Sequence, residues 1–89
     1  DRSGLAGQII RAAASVPANI AEGNGRFSAA EYLRFLSIAN GSLRESESHL
    51  VLAVRLELVS KQDTLEAIRL SNGASRLLVS LARKLRQNA

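Results

Sequence analysis

One stretch governs what this 89-residue chain can become: Ser15-Val16-Pro17-Ala18-Asn19-Ile20-Ala21-Glu22-Gly23-Asn24-Gly25-Arg26, which holds the only proline and the main chain break. On both sides of it, apolar residues recur every three to four positions, the period of an amphipathic helix. The chain therefore reads as all-α, and this stretch decides how its first helix ends. Pro17 lacks a backbone donor and crowds the carbonyl of Ala13, a defect worth ~3 kcal/mol in a helix interior. Two remedies are open. Ser15 or Asn19 bonds the freed backbone locally, or the helix breaks at Ser15 and restarts with Pro17 in its first turn, where proline is tolerated. Glu22 in the last turn faces the negative end of the helix dipole and so calls for a cationic partner. Arg26, just past the Gly23-Asn24-Gly25 stop, is the nearest candidate, and an arginine from another helix or subunit is the rival.

Ser15-x-Pro17-x-Asn19-Ile20-Ala21-Glu22-Gly23 with Arg26 continues into Glu31-Tyr32-Leu33-Arg34-Phe35-Leu36 and Ala39-x-Gly41-Ser42-Leu43-x-Glu45. Together these motifs resemble the signature of the small bacterial four-helix bundle proteins encoded in intervening sequences of 23S ribosomal RNA genes. That family is related to the accessory proteins of diversity-generating retroelements. The resemblance implies a basic, pentameric assembly of helical bundles that binds a reverse transcriptase and nucleic acid. It also implies one more helix ahead of the segment 5–10.

Eighty-nine residues fit one domain, and a chain of this length buries only a modest fraction of its surface. It needs efficient packing or partners. Aromatics are 3% of the chain, so Phe27, Tyr32 and Phe35 are the large anchors and the core must otherwise be aliphatic. With no cysteine there is no disulfide framework, thiolate nucleophile or sulfur-rich zinc site, which agrees with a cytoplasmic location. A net charge of +4 favours anionic partners, chiefly nucleic acid or an acidic protein surface. No apolar run approaches the ~20 residues needed to span a bilayer, and no signal-peptide pattern is present.

Taken in order, the first helix carries Leu5, Ile9, Ala12 and Ala13 on one face, with Ser3 as its expected N-cap. Its many alanines allow another helix to approach closely. Ser28-Ala29-Ala30-Glu31 is a capping box, and Phe27 with Tyr32 would form a hydrophobic staple across it. From there Leu33, Leu36, Ala39 or Asn40, Leu43, Glu47, Leu50 and Val54 repeat at helical spacing, with a second stripe of Phe35, Ile38, Ser42 and Val51. Two stripes make this the central helix of the bundle. Gly41 in mid-helix calls for close approach by a neighbour, and the polar band 44–49 must turn at least one member inward. Ser60 and Asp63 start a third helix whose core face is Ile68, Leu70, Ala74, Leu77, Leu78, Leu81 and Leu85. The reading is an antiparallel bundle with helices at about 4–23, 28–58 and 62–87 in a single domain, three of an expected four.

Arg69, Arg76 and Arg83 recur every seven residues, drifting only ~20° per heptad, and so line one side of the third helix. Lys84 and Arg86 add to that end, and no acidic residue follows Glu66. Such a ladder fits phosphates along a nucleic acid backbone, with strongly salt-dependent binding. The competing reading is a solvated face, or arginines that pair with glutamates of a neighbouring helix. No aromatic platform is expected beside the stripe to stack bases, and sequence-specific readout is not expected. His49, the only histidine, lies one turn from Glu45, without the repeated glutamate–histidine spacing of a bundle metal site. Gly23-Asn24-Gly25 is too short for a phosphate loop and reads as a helix stop. Neither a catalytic residue nor a metal or other cofactor is expected. The expected function is a non-enzymatic homo-oligomeric scaffold that binds RNA or DNA through Arg69, Arg76, Arg83, Lys84 and Arg86, as an adaptor for a nucleic-acid enzyme. The alternative is a protein-interaction or structural bundle with no nucleic acid ligand.

Overall fold

A computed structural model describes residues 4–88 of the chain, as three α-helices: α1 (Leu5–Asn24), α2 (Ala29–Arg55) and α3 (Lys61–Asn88). Short connections make α2 antiparallel to both of its neighbours. Both α1 and α3 pack on α2, yet they make no close backbone approach to each other. The molecule measures 46 × 21 × 13 Å, broader one way across than the other, so the three helices form an open trough with α2 as its floor. Its core is Leu36, Ala39 and Leu78, against which Val16 and Ile20 of α1 and Leu81 and Leu85 of α3 are packed.

The helix α1 does not break at Ser15; it runs through Pro17 without interruption. Asn19 is committed to Ser15, its Nδ2 donating to the Ser15 carbonyl at 2.8 Å and to Ser15 Oγ at 2.9 Å. Ser15 Oγ in turn shares a 2.8 Å hydrogen bond with Ser42 Oγ on α2. These bonds lock α1 to α2 one turn from the proline. None of them replaces the donor that Pro17 lacks toward the Ala13 carbonyl, and Ala13 is an exposed residue. The helix closes as the glycine stop predicts, with the Gly25 amide donating to the carbonyls of Ala21 (3.1 Å) and Glu22 (3.2 Å). At the other end the expected cap, Ser3, lies outside the described residues, and the N-cap position is held by Gly4 at φ 70°.

The capping box of α2 is half made. Ser28 Oγ accepts from the Glu31 amide at 3.1 Å, but the Glu31 carboxylate turns to Arg34 Nε at 2.9 Å instead of reaching back. The staple is absent because Tyr32 packs against Gly23 and the core, leaving Phe27 in water. The helix ends at Arg55 and not near 58. Glu57 adopts φ 58°, and the Leu58 and Glu57 amides close back on the carbonyls of Ala53 and Val54, both at 2.9 Å. This is a Schellman closure with glutamate in the left-handed position that glycine usually takes. With no glycine there, the sequence pattern ran past the stop. Ser60 Oγ then accepts from the Asp63 amide at 3.0 Å and begins α3.

An open trough also leaves some expected core positions bare. Leu70 and Leu77 on α3 are 60% and 74% exposed, and Ile38 and Val51 on α2 are exposed as well. They continue the helical period, but no helix lies over them. Gly41 has nothing within 4 Å of where a Cβ would stand, so no neighbour's approach explains it. Within the polar band, Ser46 is the member that faces inward, satisfied by a 3.0 Å bond from its Oγ to the Ser42 carbonyl. Between α1 and α3 runs an apolar groove of about 480 Å³, walled by Ile9, Val16, Pro17, Leu43, Leu50 and Leu70. No helix among the described residues is long and apolar enough to cross a membrane.

Candidate nucleic-acid interface

Antiparallel packing of α2 and α3 brings Arg44 against the middle of the arginine ladder. Arg44 Nη1 donates to both carboxylate oxygens of Glu47 (2.9 and 3.0 Å) and to Asn72 Oδ1 (3.1 Å), and Nη2 donates to Ser75 Oγ (3.1 Å). Ser75 Oγ donates in turn to Asn40 Oδ1 at 2.7 Å, and Ser71 Oγ donates to Glu47 Oε1 at 2.8 Å. A guanidinium carries five donor protons in a rigid fork. This network holds the fork in place and leaves Nε–H and one Nη2–H uncommitted.

Beside Arg44 a cleft of about 470 Å³ opens between the helices, lined by Asn72, Ser75, Arg76, Ser80 and Arg83. Neither Arg76 nor Arg83 has an ion pair or hydrogen bond to a described residue. Their Cα atoms are seven residues apart on α3, a rise of ~10.5 Å. Three guanidiniums set against the single Glu47 carboxylate give the cleft a net charge of +2. One guanidinium is fixed in advance and two are free to close on a ligand. Such an arrangement is chemically suited to an anion with several oxygens, because arginine forks match phosphate geometry.

The structure divides the residues that the sequence placed in one ladder. Arg69 is engaged by Glu66 one turn before it, Nη2 to Oε1 at 2.6 Å and Nε to Oε2 at 3.0 Å. The hydrogen bond from Arg69, and then its charge, pull the Glu66 carboxyl below its usual range and raise the guanidinium correspondingly. Arg69 is absent from the cleft lining, and its outer face is already neutralised. Arg86 lies one turn beyond the cleft, in a smaller depression of about 150 Å³ with Leu33 and Ser37 of α2. Lys84 is exposed, with no partner among the described residues. Sequence reasoning missed Arg44, which it read as part of a polar band. The one signal available was its i,i+3 spacing to Glu47, which does not reveal that α3 meets it there.

The signature residues form a different constellation, at the junction of α1 and α2. Arg26 pairs with Glu22 across one turn, as the dipole argument requires. The Arg26 guanidinium also lies over the Phe35 ring at 5.0 Å from its centroid, with Arg34 over the same ring at 4.5 Å. Gly23 is buried because Phe35 and Tyr32 press on it. Ser15, Asn19 and Pro17 lie further back along α1, where Ser15 bonds Ser42 of α2 and Asn19 donates to Ser15. These residues fix how two helices meet. Elsewhere His49 Nε2 stands 3.9 Å from Glu45 Oε1, and no group of three or more potential metal ligands occurs among the described residues.

Fold and site together define a small all-α protein: three antiparallel helices with a basic cleft on one seam and an apolar groove on the other. Residues 1–80 match the model of the 23S rRNA-intervening sequence protein family, and the chain belongs to that family. A solved structure from Bacteroides thetaiotaomicron, described as a protein of unknown function from the S23 ribosomal protein family, is similar at 29% identity with a TM-score of 0.83. The similarity covers 88% of this chain and 72% of that one. No curated protein matches the chain.

Proposed function

We propose that this chain is a non-enzymatic, homo-oligomeric helical bundle protein of the cytoplasm that holds RNA or DNA by its phosphates in the Arg44–Arg76–Arg83 cleft. The observation that carries the reading is the pairing of Arg76 and Arg83, both without a carboxylate partner among the described residues, around a cleft whose third guanidinium is already fixed. The distribution of charge supports it, since α3 has no acidic residue after Glu66. Earlier in the chain, Glu22, Glu31 and Glu47 hold Arg26, Arg34 and Arg44. An oligomer presenting several such clefts would gain avidity on one strand. That property suits an adaptor for a reverse transcriptase or another nucleic-acid enzyme.

Oligomerisation belongs to the same proposal. Exposed Leu70 and Leu77 and the groove between α1 and α3 support a further helix or another subunit over that seam. A fourth helix and a pentamer are what the resemblance implies. The test is a double charge reversal, Arg76→Glu with Arg83→Glu, measured by fluorescence anisotropy with labelled RNA and DNA alongside light scattering. Nucleic acid affinity should collapse while helicity and particle size persist. A variant that instead dissociates makes the ladder a subunit contact and overturns the reading.

The apolar groove favours a second reading, a protein-interaction bundle with no nucleic acid ligand. In that case Leu70→Glu abolishes partner capture, and wild-type protein binds neither RNA nor DNA even at low salt.

A further inference from the structure

We propose that Phe27 is a base-stacking platform and that the nucleic acid this protein takes is single-stranded; the inference rests on the phosphate-cleft reading above. Phe27 is the most exposed large apolar side chain described, at 110% of its reference exposure. Its ring is in open water, yet its backbone is fixed on both sides. Before it, the Arg26 amide donates to the Gly23 carbonyl at 3.0 Å, and the Arg26 side chain is held by Glu22 and the Phe35 ring. After it, Ser28 caps α2. The chain's two other aromatics are packed: Phe35 is buried and Tyr32 joins the core. Phe27 alone forgoes burial, on a junction rigid enough to present it.

Topology places this ring at the end of the phosphate track. The antiparallel register of α2 and α3 is set by Asn40 against Ser75 and Glu47 against Ser71. Continued toward the start of α2, it brings Arg86 beside Leu33 and Ser37. Leu33 is six residues past Phe27, ~9 Å along the helix axis. The ladder Arg76, Arg83, Arg86 therefore runs from the cleft toward the end of the bundle that carries Phe27. At that end Arg83, Lys84 and Arg86 have no described partner, and Arg26 and Arg34 are balanced by Glu22 and Glu31. Phosphate contacts leading to a free aromatic face are the arrangement that receives a single strand, whose bases turn out and stack. Bases inside a duplex are already stacked on one another and do not reach such a ring.

The chain contains no tryptophan, so Phe27→Trp installs a unique fluorophore at the proposed contact. The ligands are twelve-nucleotide oligouridylate, twelve-nucleotide oligothymidylate and a blunt twelve-base-pair RNA duplex, titrated at fixed salt. Phe27→Ala should weaken both single strands by about tenfold and leave the duplex within about twofold. Phe27→Trp should keep wild-type affinity and be quenched by the single strands alone. Wild-type single-strand affinity in Phe27→Ala, or an unquenched Phe27→Trp, overturns the inference, and the phosphate cleft survives if Arg76→Glu with Arg83→Glu still abolishes binding. Equal losses for every ligand with a smaller particle in light scattering make Phe27 a subunit contact and also overturn it. If wild-type protein binds none of the three, the cleft reading falls together with this one.

Discussion

Adding one methyl group at Gly23 and one at Gly41 should change stability in opposite directions. A Cβ at Gly23 would lie 2.7 Å from Phe35 Cβ, 2.9 Å from Tyr32 Cδ1 and 3.3 Å from the Tyr32 carbonyl oxygen. The nearest of these is bonded directly to the α2 backbone and cannot swing aside. Reaching ordinary contact therefore requires α1 and α2 to separate by about 0.7 Å or more at this point, and overpacking of this kind costs ~1–3 kcal/mol. Replacing a helical glycine by alanine returns up to ~1 kcal/mol. Shifting Phe35 also disturbs the guanidiniums of Arg26 and Arg34 stacked on it, at ~0.5 kcal/mol or more each. The net for Gly23→Ala is a loss of ~1–3 kcal/mol, a drop of roughly 4–24 °C in Tm for a domain this small. Gly41→Ala meets nothing within 4 Å, so only the conformational restriction counts, a gain of ~0.5–1 kcal/mol. Thermal and urea melts followed by far-ultraviolet circular dichroism measure both variants side by side. If Gly23→Ala is stabilised like Gly41→Ala, the close helix approach is not what requires glycine. A destabilised Gly41→Ala would mean that another helix or subunit covers that site.

Asn19→Ala removes both bonds to Ser15 and loosens the link to Ser42; a loss of ~1–2 kcal/mol in urea denaturation is expected, against near neutrality if the network is solvent-like. Ser28→Ala removes the α2 cap and should cost ~1 kcal/mol by the same assay. Glu66 is held below the ordinary glutamate range by Arg69, so its contribution to stability is present above the unfolded pKa and lost as pH falls through the lower folded pKa. The pair is fully exposed and its effect on global stability is small. The sensitive readout is therefore an NMR titration of the Glu66 carboxyl, whose midpoint should return to the ordinary range in Arg69→Ala.

Three helices, and the starts of α2 and α3, were legible because they are written locally. Ser28 and Ser60 cap the helices they precede, and the glycines after Glu22 end α1, all within a few residues of one another. The end of α2 was not legible, because Glu57 takes a left-handed conformation that its own chemistry does not announce. Period alone assigned Leu70 and Leu77 to the core, and period reports which residues share a helix face, not whether another helix covers it. The same distinction separates the ladder from the cleft. Spacing put Arg69, Arg76 and Arg83 on one side of α3. Only the register between α2 and α3 shows that Arg44 joins the second and third of these, while local pairing with Glu66 withdraws the first. Phe27 is the reverse case: remote in sequence from the ladder, it comes to the same end of the bundle through antiparallel packing.

The most direct test of phosphate binding in the cleft is the salt dependence of affinity, wild type against Arg76→Ala with Arg83→Ala. Plots of log association constant against log salt concentration should be linear. Each phosphate contact contributes about −0.9 to the slope on duplex and about −0.7 on single strands. Losing two contacts should therefore make the variant's slope shallower by roughly 1.8 on duplex or 1.4 on single strands. A variant that binds with the wild-type slope would contradict the account, because the two arginines would then touch no phosphate.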